Sequence, residues 1–144
     1  MPSYFVFATA ISRLHADLLV IRLKQARHSL DRISAIYHDS SRPNCTVNWL
    51  NGSAHLSLSS GETVSITGRL RVRMARPDEK SAPNSLSERL GGLGLAHEQS
   101  LSVEKALFER RIVVAVEAGT EGERDGVSEI LRNLAAENIQ SAPA

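Results

Sequence analysis

The segment Ile112–Val116 constrains the fold more than any other part of the chain. Its sequence, IVVAV, contains no polar side chain and is rich in β-branched residues. A strand with one exposed face alternates apolar and polar residues, so an uninterrupted run is typical of a strand covered on both faces. We therefore predict a central strand here, buried on both faces, paired on both sides and ended by Gly119.

A glycine-rich turn and a short amphipathic helix are predicted before this strand. The turn is LGGLGL, and glycine permits the positive φ that tight turns need. The helix ends with Arg110 and Arg111, whose charge suits the C-terminal end of the helix macrodipole. Its apolar residues recur roughly at helical spacing: Leu101, Ala106, Leu107 and Phe108.

The N-terminal segment predicts a β-α-β unit. Aromatic and β-branched residues favour strands at Tyr4–Ala8 and Ile33–Tyr37. Ser12 is a plausible N-cap for the helix between them. We expect the apolar face of that helix to consist of Leu14, Leu18 and Ile21, with Leu23 as a further candidate. Charged residues are expected outside, at Arg13, Asp17, Lys24 and Arg27.

The middle of the chain predicts an insertion. Residues 46–74 alternate apolar and polar side chains around the hairpin signal Asn51-Gly52, which indicates a three-stranded antiparallel β-meander with one solvated face. Residues 75–84 contain Pro77, Pro83 and several charges, so we interpret them as a linker.

The C-terminal segment predicts a helix and a tail. Thr120 and Glu123 have the spacing of a capping box, T-x-x-E. An apolar stripe at i, i+3, i+4 and i+7 follows, formed by Val127, Ile130, Leu131 and Leu134. Residues Ser141–Ala144 are expected to be a loose tail.

Together these elements predict one α+β domain over residues 1–144. The helices are expected on one face of a mixed or antiparallel sheet, in a ferredoxin-like sandwich with the meander inserted. A net charge of +1 gives no general attraction to nucleic acid or anionic membranes. The lone cysteine, Cys45, excludes an internal disulfide, and the N-terminus lacks the pattern of a signal peptide. We therefore expect a soluble, cytoplasmic protein with no membrane partner.

The sequence contains no pattern that specifies catalysis. The five histidines lack metal-ligand spacing, the glycine turn lacks the Lys-Ser/Thr of a phosphate loop, and no base adjoins Cys45. His38, Asp39, Ser40 and Ser41 read as a loop, because no nucleophile elbow is present. Glu98 and Glu104 are interpreted as part of a solvated helix face. We predict a non-enzymatic protein with no cofactor and no metal.

The most informative cluster of charges is a run of arginines in the meander: Arg69, Arg71, Arg73 and Arg76. The first three alternate along a predicted strand, so they share one face. In one interpretation they are solvated, with their aliphatic stems over apolar surface. In the other they bind an anion, as in a nucleic acid or an acidic partner, although no aromatic residues lie between them for base stacking.

The segment GLGLAHEQSLSVEKALFERRIVVAVEA resembles the end of bacterial heat-induced stress (YflT-type) domains, also called general stress proteins. The similar features are Gly94, Leu95 and Glu98, the helix to Arg110, and the strand Ile112–Val116. The order of N-terminal elements is similar too, so the resemblance covers about half of the chain. It implies a bacterial stress-response role and supplies no catalytic residues. Many of these proteins have a glycine-alanine zipper where this chain has its meander, so a membrane-active role is not implied.

Our functional prediction is association, as a homo-oligomer or with another partner. The meander has an apolar face larger than three short helices can cover, which favours a closed twofold dimer. Its residues are Leu56, Leu58, Val64, Ile66, Leu70 and Val72. The alternative is an anion-binding or nucleic-acid-binding module that uses the arginines. An enzyme whose site assembles only in space is the third hypothesis.

Overall fold

The structure is a computed structural model, and it describes residues 4–28, 32–38, 54–57, 63–67, 90 and 95–143. Three longer helices and six strands lie within these residues. The helices are α1 (Arg13–Gln25), α2 (His97–Phe108) and α3 (Glu121–Asn133). The strands are β1 (Tyr4–Ala10), β2 (Ile33–His38), β3 (Ala54–Ser57), β4 (Thr63–Thr67), β5 (Ile112–Ala118) and β6 (Glu137–Pro143).

The six strands form one sheet in the order β3-β4-β2-β5-β1-β6, and every neighbouring pair is antiparallel. β5 lies between β2 and β1, so that Val114 is opposite Ala35 on one side and Ala8 on the other. Residues 112–116 are all 0% exposed. The predicted central strand is therefore confirmed, as is the α+β class.

Two crossovers interleave in the sheet. α1 connects β1 to β2, which lie on the two sides of β5, and α3 connects β5 to β6, which lie on the two sides of β1. Each crossover therefore skips one strand. The central strands β5 and β1 belong to different crossovers and pair directly along seven residues each.

Helices cover both faces of the sheet, so the expectation of helices on one face is wrong for α2. On one face, Ile112, Val114 and Val116 pack in a cluster with residues of α1 and α3. On the other face, Val113 and Ala115 pack in a cluster with residues of α2. This two-sided covering is the physical reason that β5 shows no polar alternation.

The predicted loose tail is wrong, because residues Glu137–Pro143 form the edge strand β6 beside β1. Ala142 pairs with Phe5 and is only 1% exposed. The segment reads ENIQSAP, and its single branched apolar residue, Ile139, gives little strand signal. Its strand conformation comes from pairing with β1 rather than from local preference.

Only part of the predicted meander lies within the described residues. β3 and β4 form an antiparallel pair, and β4 joins the sheet through β2. A third strand, the Asn51-Gly52 turn and the predicted linker 75–84 lie outside the described residues. Val64 and Ile66 were expected on an apolar face that the helices could not cover. Both are 0% exposed and pack in the core on the α2 side of the sheet, so at these two residues the face is covered.

All three helices end in a Schellman motif with a residue other than glycine in the left-handed region. These residues are Arg27 (φ 71°), Arg110 (φ 67°) and Ala135 (φ 62°). In each case the next amide donates back into the helix, for example from Ala136 to the Leu131 carbonyl at 3.0 Å. Glycine is the usual residue at this position, because a Cβ there is strained.

Candidate functional site

α1 begins at a capped and tightly held N-terminus. The Ser12 hydroxyl accepts a hydrogen bond from the His15 amide at 3.1 Å, which confirms the predicted N-cap. The Ile11 amide donates to His15 Nδ1 at 3.0 Å. Since a backbone amide can only donate, Nδ1 is the acceptor, and the ring proton of the neutral imidazole lies on Nε2.

His15 connects α1 to α3. Its Nε2 lies 2.7 Å from the Leu134 carbonyl oxygen, to which it donates. Leu134 is the C-cap of α3, where backbone carbonyls lack partners within the helix. Both ring nitrogens of His15 are thus used: Nδ1 holds the N-terminus of α1 and Nε2 links α1 to the end of α3.

The orientation of α1 differs from our prediction. The residues of α1 that face the sheet are Ala16, Leu19, Val20 and Leu23. The predicted core residues Leu14, Leu18 and Ile21 lie on the opposite face, and only Leu23 was placed correctly. Together with Ile11 they form a line of exposed apolar side chains, which we call the α1 stripe: Ile11 (58% exposed), Leu14 (77%), Leu18 (43%) and Ile21 (48%).

A groove lies beside the C-terminal end of the α1 stripe. It has a volume of about 490 Å³ and is bounded by the last turns of α1 and α3. Its lining is both polar and apolar: Arg22, Gln25, Ala26, Ile130, Asn133 and Leu134. Gln25 lies four residues after Ile21 and therefore continues the line of the stripe to the mouth of the groove.

The outer faces of the other two helices are more polar. α3 exposes Asp125, Glu129 and Arg132. α2 exposes Leu101 (45%) and Phe108 (54%), with the exposed Lys105 between them. Among the described residues, the α1 stripe is therefore the longest line of large exposed apolar side chains.

The acidic residues of α2 do not share one environment. Glu98 is exposed, as predicted, but Glu104 is only 7% exposed. The solvated-face interpretation is thus wrong for Glu104, which lies among the buried residues of α2 together with Val103 and Leu107. The inward face of α2 was misplaced because Leu101 and Phe108, expected in the core, point outward.

The other predicted candidates are separated or lie outside the described residues. His28 and His38 are half-buried, and His97 is exposed at the start of α2. Among the described residues, no group of three or more His, Cys, Asp or Glu side chains is placed to hold a metal ion. The arginine run, Cys45 and the glycine turn lie outside the described residues: Arg69, Arg71, Arg73, Arg76, Cys45 and residues 91–94.

Ion pairs fix the ends of strands near α3. Arg32 contacts the Glu123 carboxylate at 3.0 Å, and the same carboxylate accepts from the Gly119 amide at 3.3 Å. The Thr120 hydroxyl accepts from the Glu123 amide, so Thr120 is the N-cap that the T-x-x-E pattern predicted. Arg111 pairs with Glu137. These pairs position the start of α3 and of β6.

In the described part of the chain, no helix is both long and apolar enough to cross a membrane. Comparisons with protein-family models, with curated proteins and with solved structures find no match for this chain. Among the features of the described residues, the α1 stripe is the one that requires a functional explanation.

Proposed function

We propose that this protein acts by association with a second copy of itself, as a non-catalytic homodimer. The observation that carries the proposal is the α1 stripe. Isolated apolar residues on a protein surface are common, but a contiguous apolar patch marks an interaction site. Four such residues in line, each 43% or more exposed, form a patch of this kind.

The position of the stripe also supports association. α1 is anchored on its inner side by buried residues, and at its N-terminal end by the hydrogen bonds of His15. The stripe is therefore a fixed surface, and a partner would not have to order a flexible segment on binding. A preorganised surface retains more of its interaction energy as affinity.

The proposal also includes a ferredoxin-like fold type and a stress-response role. The interleaved crossovers are those of a split β-α-β arrangement, which supports the ferredoxin-like description of β1, β2, β5 and β6. The stress-response role in a bacterial cytoplasm is supported only by the motifs around Gly94 and Ile112–Val116 and by the single cysteine.

The proposal is tested by measuring the mass of the full chain in solution as a function of concentration. Light scattering coupled to gel filtration, over roughly 1 to 100 µM, covers the affinities expected for a small apolar interface. We expect the mean mass to rise from that of the 15.7 kDa monomer toward twice that value. A monomer mass throughout this range contradicts the proposal.

A further inference from the structure

We infer that His15 makes the junction between β1 and α1 sensitive to acid, because a proton taken up at Nδ1 breaks the hydrogen bond that holds the Ile11 amide. Histidine is the side chain that ordinarily changes charge between pH 5 and 8, so such a response falls in the physiological range. It depends on one side chain and its two contacts, and it is independent of the proposed self-association.

The contact with Ile11 requires the neutral form of His15. A backbone amide can only donate, so the 3.0 Å contact between the Ile11 nitrogen and Nδ1 needs a lone pair on Nδ1. In the imidazolium form both ring nitrogens carry protons, and Nδ1 can no longer accept. Two donors would then face each other at hydrogen-bond distance, so the ring and the Ile11 amide must separate.

The contact with α3 responds in the opposite direction. Nε2 carries a proton in both forms of the ring, and it lies 2.7 Å from the carbonyl oxygen of Leu134, the C-cap of α3. A charged donor makes a stronger hydrogen bond than a neutral one, and a helix C-terminus attracts positive charge. Protonation therefore breaks the bond to Ile11 and strengthens the bond to Leu134, so the link between the two helices is kept.

The N-cap of α1 does not depend on the charge of the ring. The Ser12 hydroxyl accepts from the His15 amide at 3.1 Å, and the Ser12 carbonyl accepts from the Ala16 amide at 3.0 Å. Neither bond involves an imidazole nitrogen, so α1 stays folded when His15 is protonated. The change is confined to Ile11, which is 58% exposed and begins the α1 stripe.

Other charged groups surround this end of α1, and they are distinguishable from a histidine by their titration range. The titratable residues of β1 and β5, Tyr4 and Glu117, lie at the opposite end of those strands from Ala10 and Ile112. Carboxylates ordinarily titrate well below histidine, and arginine stays charged throughout. Among the described residues, the charged groups beside His15 along α1, in the last turn of α3 and at the adjoining starts of β5 and β6 are Arg13, Asp17, Arg132, Arg111 and Glu137.

The test is the protection of the Ile11 amide against hydrogen exchange, measured by NMR on the full chain at a concentration where it is monomeric. The pH is lowered from 7.5 until the ring signals of His15 show complete protonation. We expect the protection factor of Ile11 to fall about fivefold, the equivalent of one net hydrogen bond, with the same midpoint as the ring signals. The amides of His15 and Ala16 should keep their protection within twofold.

Two asparagine variants assign the response to His15. In His15→Asn the side-chain oxygen occupies about the position of Nδ1 and does not titrate, so the Ile11 protection factor should be independent of pH, whatever its level. His97→Asn makes the same chemical change at an exposed histidine at the start of α2. We expect this variant to keep the pH dependence of Ile11 found in the original chain.

Three results would overturn the acid response. The first is an Ile11 protection factor that stays constant while the His15 ring titrates. The second is a loss of protection at Ile11, His15 and Ala16 together, which would mean that α1 as a whole unfolds. The third is a pH dependence that survives in His15→Asn or disappears in His97→Asn. A chain that is monomeric at every concentration would refute the proposed self-association and leave these measurements unaffected.

Discussion

Leu18 and Leu19 are adjacent in the chain but lie on opposite faces of α1, so their substitution by alanine tests the orientation of that helix. Leu19 is 0% exposed and packs in the cluster between α1, α3 and the sheet. Leu18 is 43% exposed and belongs to the α1 stripe. The chemical change is identical at the two positions, so any difference in the free energy of unfolding reports their different burial.

The expected magnitudes differ several-fold. Removing a fully buried leucine side chain costs about 3 kcal/mol, from the lost transfer free energy and the cavity left behind. At Leu18 the lost burial is partial, and alanine gains a few tenths of a kcal/mol as a better helix former. We therefore expect Leu18→Ala to cost less than about 1 kcal/mol. For a chain of this length, each kcal/mol lowers the melting temperature by about 3 °C. Leu19→Ala should therefore lower it by about 9 °C, and Leu18→Ala by at most about 3 °C.

The assay is thermal or urea unfolding followed by far-ultraviolet circular dichroism. It must be run at a concentration where the chain is monomeric, because dimerisation would add to the apparent stability and would involve Leu18 directly. Repeating it at high concentration should then increase the effect of Leu18→Ala and leave that of Leu19→Ala nearly unchanged. Equal losses for the two variants at low concentration would refute the orientation of α1, and with it the basis of the α1 stripe.

Three further predictions can be checked with the same unfolding assay or with a binding titration. Ala135→Gly should stabilise the protein by about 1 kcal/mol, because glycine relieves the left-handed strain after α3; a loss of stability contradicts this. Truncation after Ala136 should lower the melting temperature clearly, since β6 pairs with β1, whereas a loose tail would be removed without effect. The arginine alternative predicts that short DNA or RNA binds at low salt with a log–log salt slope of about −2 to −3. Binding should then be lost when glutamine replaces Arg69, Arg71 and Arg73, and a flat fluorescence-anisotropy titration of the original chain rejects that alternative.

The central position of β5 could be predicted from the sequence, because the strongest strand signals lie in the strands that pair on both sides. Residues Ile112–Val116 of β5 are uninterrupted by polar side chains, and β1 and β2 contain few of them. Edge strands give weaker signals, since one side is unpaired and their residues need not be apolar. β6 was missed for this reason. Its ion pair between Glu137 and Arg111 joins residues that are far apart in the chain, so it gives no local sequence signal either.

The orientation of α1 could not be predicted, because apolar residues occur on two opposite faces of the helix. The larger residues Leu14, Leu18 and Ile21 suggested the core. In the structure, the inward face includes Ala16, in a cluster that also holds Ala8, Ala10 and Ala35. Small residues on both sides allow a helix to approach a sheet closely. That packing depends on which strands lie beneath the helix, and this information is not contained in the helical segment.

The α1 stripe is evident from the exposure of its residues and corresponds to no sequence motif. Periodicity shows that a helix has an apolar face, and it cannot show whether the chain itself supplies the cover. Here the sheet covers one face of α1, and α3 packs along one flank. α2 packs on the opposite face of the sheet and therefore cannot reach α1. No described element of the chain remains to cover Leu14, Leu18 and Ile21. A second copy of the chain carries the same apolar line, so self-association through α1 is the arrangement that we propose to cover these residues.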